Sequence, residues 1–129
     1  MSKKIIAGNW KQNGNMKSSI KLAQDIIREV KKNNIKHEVI IFPPSLYLLP
    51  IKNINKKEII NLGSQNVSAY NDGALTGEIS ATMLKDSKIQ YCLVGHSERR
   101  HILDENNLSL CEKVSRLREN NIKVIYCIG

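Results

Sequence analysis

The chain has 129 residues, of which 41% are hydrophobic and 25% charged, and a formal net charge of +8. That length suits one domain with a sizeable core, and the composition excludes disordered, fibrous and disulfide-dense classes. With no apolar run near the ~20 residues that span a bilayer, no signal peptide ahead of Ile5 and three cysteines without a CxxC pair, the expected compartment is cytoplasmic, with no membrane partner and no zinc site.

Residues 4–11 read as a first strand. Period-two geometry puts Ala7, Asn9 and Lys11 on one face and Trp10 on the other, so that an amide and an ammonium leave its carboxyl end together. A strand that simply runs out into solvent is the alternative. Gln12-Asn13-Gly14-Asn15 is a turn cluster. Ile20, Ala23, Ile27 and Val30, beside Leu22 and Ile26, then recur at helical period, and the helix is expected to fray in Lys31-Lys32-Asn33-Asn34. Residues 38–42 read as a second strand, stopped by Pro43-Pro44, and residues 45–49 as a short helix before Pro50. His37 reads as a solvated loop residue. Residues 59–63 make a third strand. The polar loop from Ser64 to Gly77 is long enough to suggest a function. A helix over 78–85 follows, with its cap near Thr76 or Gly77.

Tyr91-Cys92-Leu93-Val94-Gly95-His96-Ser97-Glu98-Arg99-Arg100 is the stretch around which the rest is arranged. Four apolar residues suit a strand buried on both faces of a parallel sheet. Gly95 ends it, and Ser97 with Glu98 favours a helix start, which makes Ser97 the expected cap. Gly-His-Ser-Glu-Arg lacks the second glycine of a nucleophile elbow, so Ser97 does not read as a nucleophile. His96 falls at the carboxyl end of a strand and against the positive pole of a helix, a setting that favours a neutral, donating imidazole. Its position alone is balanced between a structural and a functional role. His101 reads as a surface residue. Leu108, Cys111, Val114 and Leu117 mark a further helix, and residues 123–128 a fifth strand.

Strands alternating with helical patterns indicate right-handed βαβ units and an α/β fold with a parallel sheet. No GxGxxG and no Walker loop follows a strand, so nucleotide cofactors lack their phosphate-binding turn. No run of Lys or Arg exceeds two residues and aromatics make up only 5%. A nucleic-acid partner is therefore not expected, whereas attraction of small anions is. Asn9, Lys11, His96 and Glu98 all lie at or just beyond strand carboxyl ends, the end that hosts catalysis in a barrel.

Ala7-Gly8-Asn9-Trp10-Lys11, Ser64-Gln65-Asn66-Val67-Ser68, Gly73-Ala74-Leu75-Thr76-Gly77-Glu78-Ile79-Ser80, Gly95-His96-Ser97-Glu98-Arg99-Arg100 and Tyr126-Cys127-Ile128-Gly129 together resemble the triosephosphate isomerase family, in its order and at its spacing. The resemblance covers the whole chain. It implies a (β/α)₈ barrel that interconverts dihydroxyacetone phosphate and glyceraldehyde 3-phosphate in glycolysis and gluconeogenesis, without cofactor or metal. On the matching positions it implies that His96 is the electrophile polarising the substrate carbonyl and enediolate. Lys11 then faces the substrate's negative charge, Asn9 is its hydrogen-bonding neighbour, and Glu98 is a supporting acid able to pair with Lys11. Ser97 and Cys127 match supporting positions. Gln65 and Thr76 match the loop that inserts into the partner subunit of a homodimer.

Such a barrel needs typically ~250 residues, and residues 1–129 reach only its fifth strand. The family's catalytic glutamate follows the sixth strand, and its lid and phosphate loops come later still; no carboxylate present matches that base. The expectation is one partial-barrel domain over 1–129, a fragment of the full enzyme that is inactive alone, with completion by a complementing C-terminal polypeptide as the lesser option. A non-catalytic interaction module derived from the barrel is the alternative.

Overall fold

The structure, a computed structural model, describes residues 2–128 and divides into two compact units, Met1–Gly63 and Ser64–Gly129. Gly129, the last residue of the fifth motif segment, lies outside the described residues.

In the first unit, β1 (Ile5–Asn9) pairs in parallel with β2 (Glu38–Phe42), from Ile5 opposite Glu38 to Asn9 opposite Phe42. β2 pairs in parallel with β3 (Asn61–Ser64), Ile40 lying opposite Asn61 and Ile41 opposite Leu62. Ile40, Ile41 and Phe42 are buried, whereas Ile5 and Ile6 of β1 are 56% and 50% exposed. The Phe42 ring occupies the place where a Cβ on Gly63 would stand, so β2 and β3 are matched ring to glycine. At the opposite end of β1, Nδ1 of His37 accepts the Lys4 backbone N–H at 3.1 Å, which makes His37 a clasp on β1 rather than a merely solvated residue.

Helix α1 (Met16–Lys32) starts on a reciprocal cap: the Asn15 amide oxygen accepts the Ser18 N–H at 2.8 Å, and Ser18 Oγ accepts the Asn15 N–H at 2.9 Å. Lys31 and Lys32 occupy its last turn, where cations complement the helix dipole. Ala23 is fully buried and Leu22 exposed. A 3₁₀ turn, Ser45–Tyr47, leads into α2 (Leu48–Ile54), so the helix runs through Pro50 instead of stopping before it. Pro50 falls in the first turn, where its missing N–H has no intrahelical partner to lose. β3 begins two residues later than the apolar run implies. The buried Asn55 amide donates to the Ile60 carbonyl at 2.7 Å, which draws Ile60 into a local bond outside the ladder.

In the second unit, residues 65–80 form neither helix nor strand. The Ser68 N–H donates to the Ile79 carbonyl at 2.8 Å, and this bond holds residues 78–80 extended. Helix α3 (Ala81–Asp86) therefore begins later than residue 78, and its cap is Ser80, whose Oγ accepts the Met83 N–H at 3.2 Å. β4 (Tyr91–Val94), buried at all four residues, pairs in parallel with β5 (Lys123–Tyr126), Tyr91 opposite Lys123 and Val94 opposite Tyr126. Between them lie α4 (Ser97–His101) and α5 (Asn107–Glu119).

The buried stripe of α5 is Leu110, Lys113 and Leu117, whereas Leu108 and Cys111 are exposed. Lys113 is only 4% exposed. Its Nζ donates to Glu105 Oε2 at 2.7 Å and to Asn66 Oδ1 at 2.8 Å, and Arg99 Nε donates to the same Glu105 oxygen at 2.9 Å. One buried carboxylate thus ties α4, α5 and the start of the 65–80 loop. Burial alone would raise the Glu105 pKa, but the bonds from Lys113 and Arg99 outweigh it and hold the carboxyl below the usual carboxylate range.

Removing one partner of such a pair leaves a buried charge uncompensated. Lys113→Met is expected to cost about 3–5 kcal/mol in urea unfolding. Because the folded carboxyl is more acidic than the unfolded one, the stabilisation from Glu105 is present above the usual carboxylate range and is lost as pH falls through the depressed folded value. Urea midpoints of wild type and Glu105→Gln are expected to converge on acidification; midpoints that diverge would show the opposite sign of shift.

Candidate active site

The first unit supplies Asn9 and Lys11. Asn9 closes β1, and Lys11 follows two residues later with φ 56°, a left-handed conformation unusual for lysine. The Lys11 N–H donates to Asn9 Oδ1 at 2.9 Å, Asn13 Nδ2 donates to the Trp10 carbonyl at 3.0 Å, and the Tyr47 hydroxyl donates to the Gly14 carbonyl at 3.3 Å. These bonds fold residues 9–14 into a tight turn. Period-two alternation therefore ends at Asn9, and the turn sets the place of Lys11. A lysine held left-handed costs of order 1–3 kcal/mol, a strain that clusters at functional sites.

The second unit supplies His96 and Glu98. Buried β4 runs into Gly95, whose φ of 76° turns the chain sharply into α4. The helix cap is His96 itself: with φ −55° and ψ 142°, its ring reaches forward so that Nδ1 accepts the Glu98 N–H at 3.2 Å. This corrects the expectation for Ser97, which is the first helical residue and not the cap. The ring stands one position ahead of the serine hydroxyl and reaches the second helical N–H, the usual target of a cap. Since Nδ1 is an acceptor, the neutral ring carries its proton on Nε2. Nε2 has no hydrogen-bond partner among the described residues, so it is available as a donor. The Glu98 carboxylate is 3.5 Å from Nδ1, which already accepts the backbone N–H. Glu98 sits in the first turn of α4 and Arg99, Arg100 and His101 in the last, each sign at the pole that favours it.

Asn9 with Lys11 thus stand at the carboxyl end of β1, and His96 with Glu98 at the carboxyl end of β4. Gln65 is half-buried at the start of the 65–80 loop, and Thr76 is exposed on the stretch between the buried Ser68 and Ser80. Asp72 anchors that loop. Thr82 Oγ1 donates to Asp72 Oδ1 at 2.6 Å, and bonds from Ser80 and Thr82 hold the Asp72 carboxyl below its usual range.

The cysteines do not form a nucleophilic site. Burial pushes the Cys92 thiol up to about 12 and raises that of Cys127; Cys111 is exposed and free. Among the described residues no group of three or more His, Cys, Asp or Glu could hold a metal, and no helix is long and apolar enough to cross a membrane. Glu105 and Lys113 escaped the sequence reading. Their signal was present, since Lys113 sits at helical spacing between Leu110 and Leu117 and so on the buried face.

The triosephosphate isomerase family model matches residues 4–129. The chain is 43% identical to the triosephosphate isomerase of Buchnera aphidicola subsp. Baizongia pistaciae over 135 residues, covering 100% of this chain and 52% of the relative. It is 40% identical to that of Hahella chejuensis over 129 residues, with 100% and 51% covered, and 41% identical to that of Alkaliphilus oremlandii, again with 100% and 51% covered. The chain spans about half the length of the curated relatives it matches. Parallel strand pairs alternating with helices, in this order, are the N-terminal part of a TIM barrel. The chain belongs to the triosephosphate isomerase family.

Proposed function

We propose that residues 1–129 form a partial-barrel domain carrying the electrophilic half of a triosephosphate isomerase site. In this reading the substrate is a triose phosphate, interconverted between its ketose and aldose forms by proton transfer through an enediolate, in glycolysis and gluconeogenesis in the cytoplasm. The observation that carries it is the hydrogen bond at His96: Nδ1 accepts the Glu98 N–H, an arrangement that leaves Nε2–H to donate. Such a donor polarises the carbonyl and stabilises the oxygen charge that develops in the enediolate. Lys11 brings an ammonium to the negative charge of the substrate, and Asn9 holds the turn that positions it. Glu98 supports the cation, and Gln65 and Thr76 belong to the loop that meets the partner in a homodimer.

The reaction also needs a base to take the carbon-bound proton. None of the carboxylates in residues 1–129 matches the family's glutamate, so the base is expected from a segment corresponding to the other half of the relatives. The exposed Ile5 and Ile6 on β1, and Tyr126 on β5 at 46%, support a chain that is completed by further sequence.

Two outcomes follow. Residues 1–129 alone are expected to give no measurable turnover of glyceraldehyde 3-phosphate, whereas the same residues joined to the C-terminal half of the Hahella chejuensis relative are expected to turn it over. A joined protein that folds as a dimer and stays inactive would defeat the reading. In the active joined protein, His96→Gln is expected to lower kcat by roughly 10²–10⁴-fold, measured by a coupled assay in the aldose-to-ketose direction.

A further inference from the structure

We infer that Arg100 is a positioning residue for His96, an inference that rests on the isomerase reading above. Arg100 lies one helical turn after His96 on α4 and is half-buried. Its Nε donates to the Gly95 carbonyl at 2.6 Å, and its Nη2 donates to the Cys127 carbonyl at 2.7 Å. The guanidinium carbon stands 5.2 Å from the centre of the Tyr126 ring, within range of a cation–π contact.

The Gly95 carbonyl belongs to the peptide that joins Gly95 to His96. A short, charge-assisted bond to that oxygen fixes the plane from which the imidazole side chain springs. The Glu98 N–H fixes the far side of the ring at Nδ1. With both ends of the lever held, the direction of Nε2–H is set. The second bond, to Cys127, ties this peptide to the residue just past β5, so the histidine is referenced to two neighbouring strands. The site is built around the guanidinium: a Cβ on Gly95 would lie 2.6 Å from Nη2, and the φ of 76° there disfavours any side chain. A lysine replaces it only in part, because a compact ammonium lacks the planar fork that reaches two carbonyls at once.

The test uses the joined protein of the preceding subsection and ¹⁵N spectra of the 129-residue chain. In the joined protein Arg100→Ala is expected to lower kcat by about tenfold to a hundredfold, with KM little changed and with partial rescue by added guanidinium ion below unfolding concentrations. Arg100→Lys is expected to fall in between. In the chain, Arg100→Ala is expected to move the His96 side-chain ¹⁵N resonances from a single acceptor-Nδ1 pattern toward a tautomeric mixture. An unchanged kcat, a loss confined to KM, or a loss in a folded variant that guanidinium does not reverse overturns the inference. If the unmutated joined protein is inactive, the isomerase reading fails instead, and the ¹⁵N pattern decides the positioning role by itself. Where Arg100→Ala does not fold, Arg100→Lys is read by the same two measurements.

Discussion

On the proposed function, the bond from the Glu98 N–H to Nδ1 of His96 is the contact on which the chemistry of this chain depends. A cap is ordinarily a serine, threonine, aspartate or asparagine, whose only task is to satisfy an orphan N–H. Here an imidazole does it, and the same bond that starts the helix selects the tautomer of the ring. The helix it starts has five residues, far too few to be stable alone. Tertiary bonds must therefore hold it, and they come from its own arginines. Arg99 reaches Glu105, and through that carboxylate the buried Lys113 and Asn66. Arg100 reaches back to Gly95 and onward to Cys127.

The two halves of the candidate machinery are supported in different ways. His96 follows a strand with no exposed residue and is steadied by the charged bonds of Arg99 and Arg100. Lys11 follows β1, which is half-exposed over Ile5 and Ile6, and the turn after it is held by neutral bonds from an amide, a backbone N–H and a phenol. A rigid frame with chemistry on the loops beyond its strand ends is the common plan of α/β enzymes. On the proposed function, the buried strand stands behind the residue that aims a donor, and the half-exposed strand behind an ammonium that needs only to be near.

Much of the fold was legible because strong punctuation bounds the apolar runs. Pro43-Pro44 closes β2 and Gly95 closes β4, and both strands fall where the residue pattern puts them. What was not legible depended on single side chains finding backbone partners. The Asn55 amide withdraws Ile60 from β3, the Ser68–Ile79 bond delays α3, and the His96 ring takes the capping place expected of Ser97. In α5 the hydrophobic pattern pointed to Leu108 and Cys111, yet the buried face carries Lys113, because an ion pair with Glu105 compensates the charge. The placement of Asn9 and His96 at strand carboxyl ends was legible from the motifs. The left-handed turn that places Lys11 was not, since strand alternation says nothing beyond the strand's last residue.

The interlock of Phe42 with Gly63 bears on how this chain can vary. Neither position is free to drift alone: enlarging the glycine collides with the ring, and shrinking the ring opens a void beside the glycine. Any lineage that exchanges the two sizes must cross an intermediate poorer than either end point. Sign epistasis of this kind opposes changing either residue singly, and a mutational library built around β2 and β3 has to randomise both codons together.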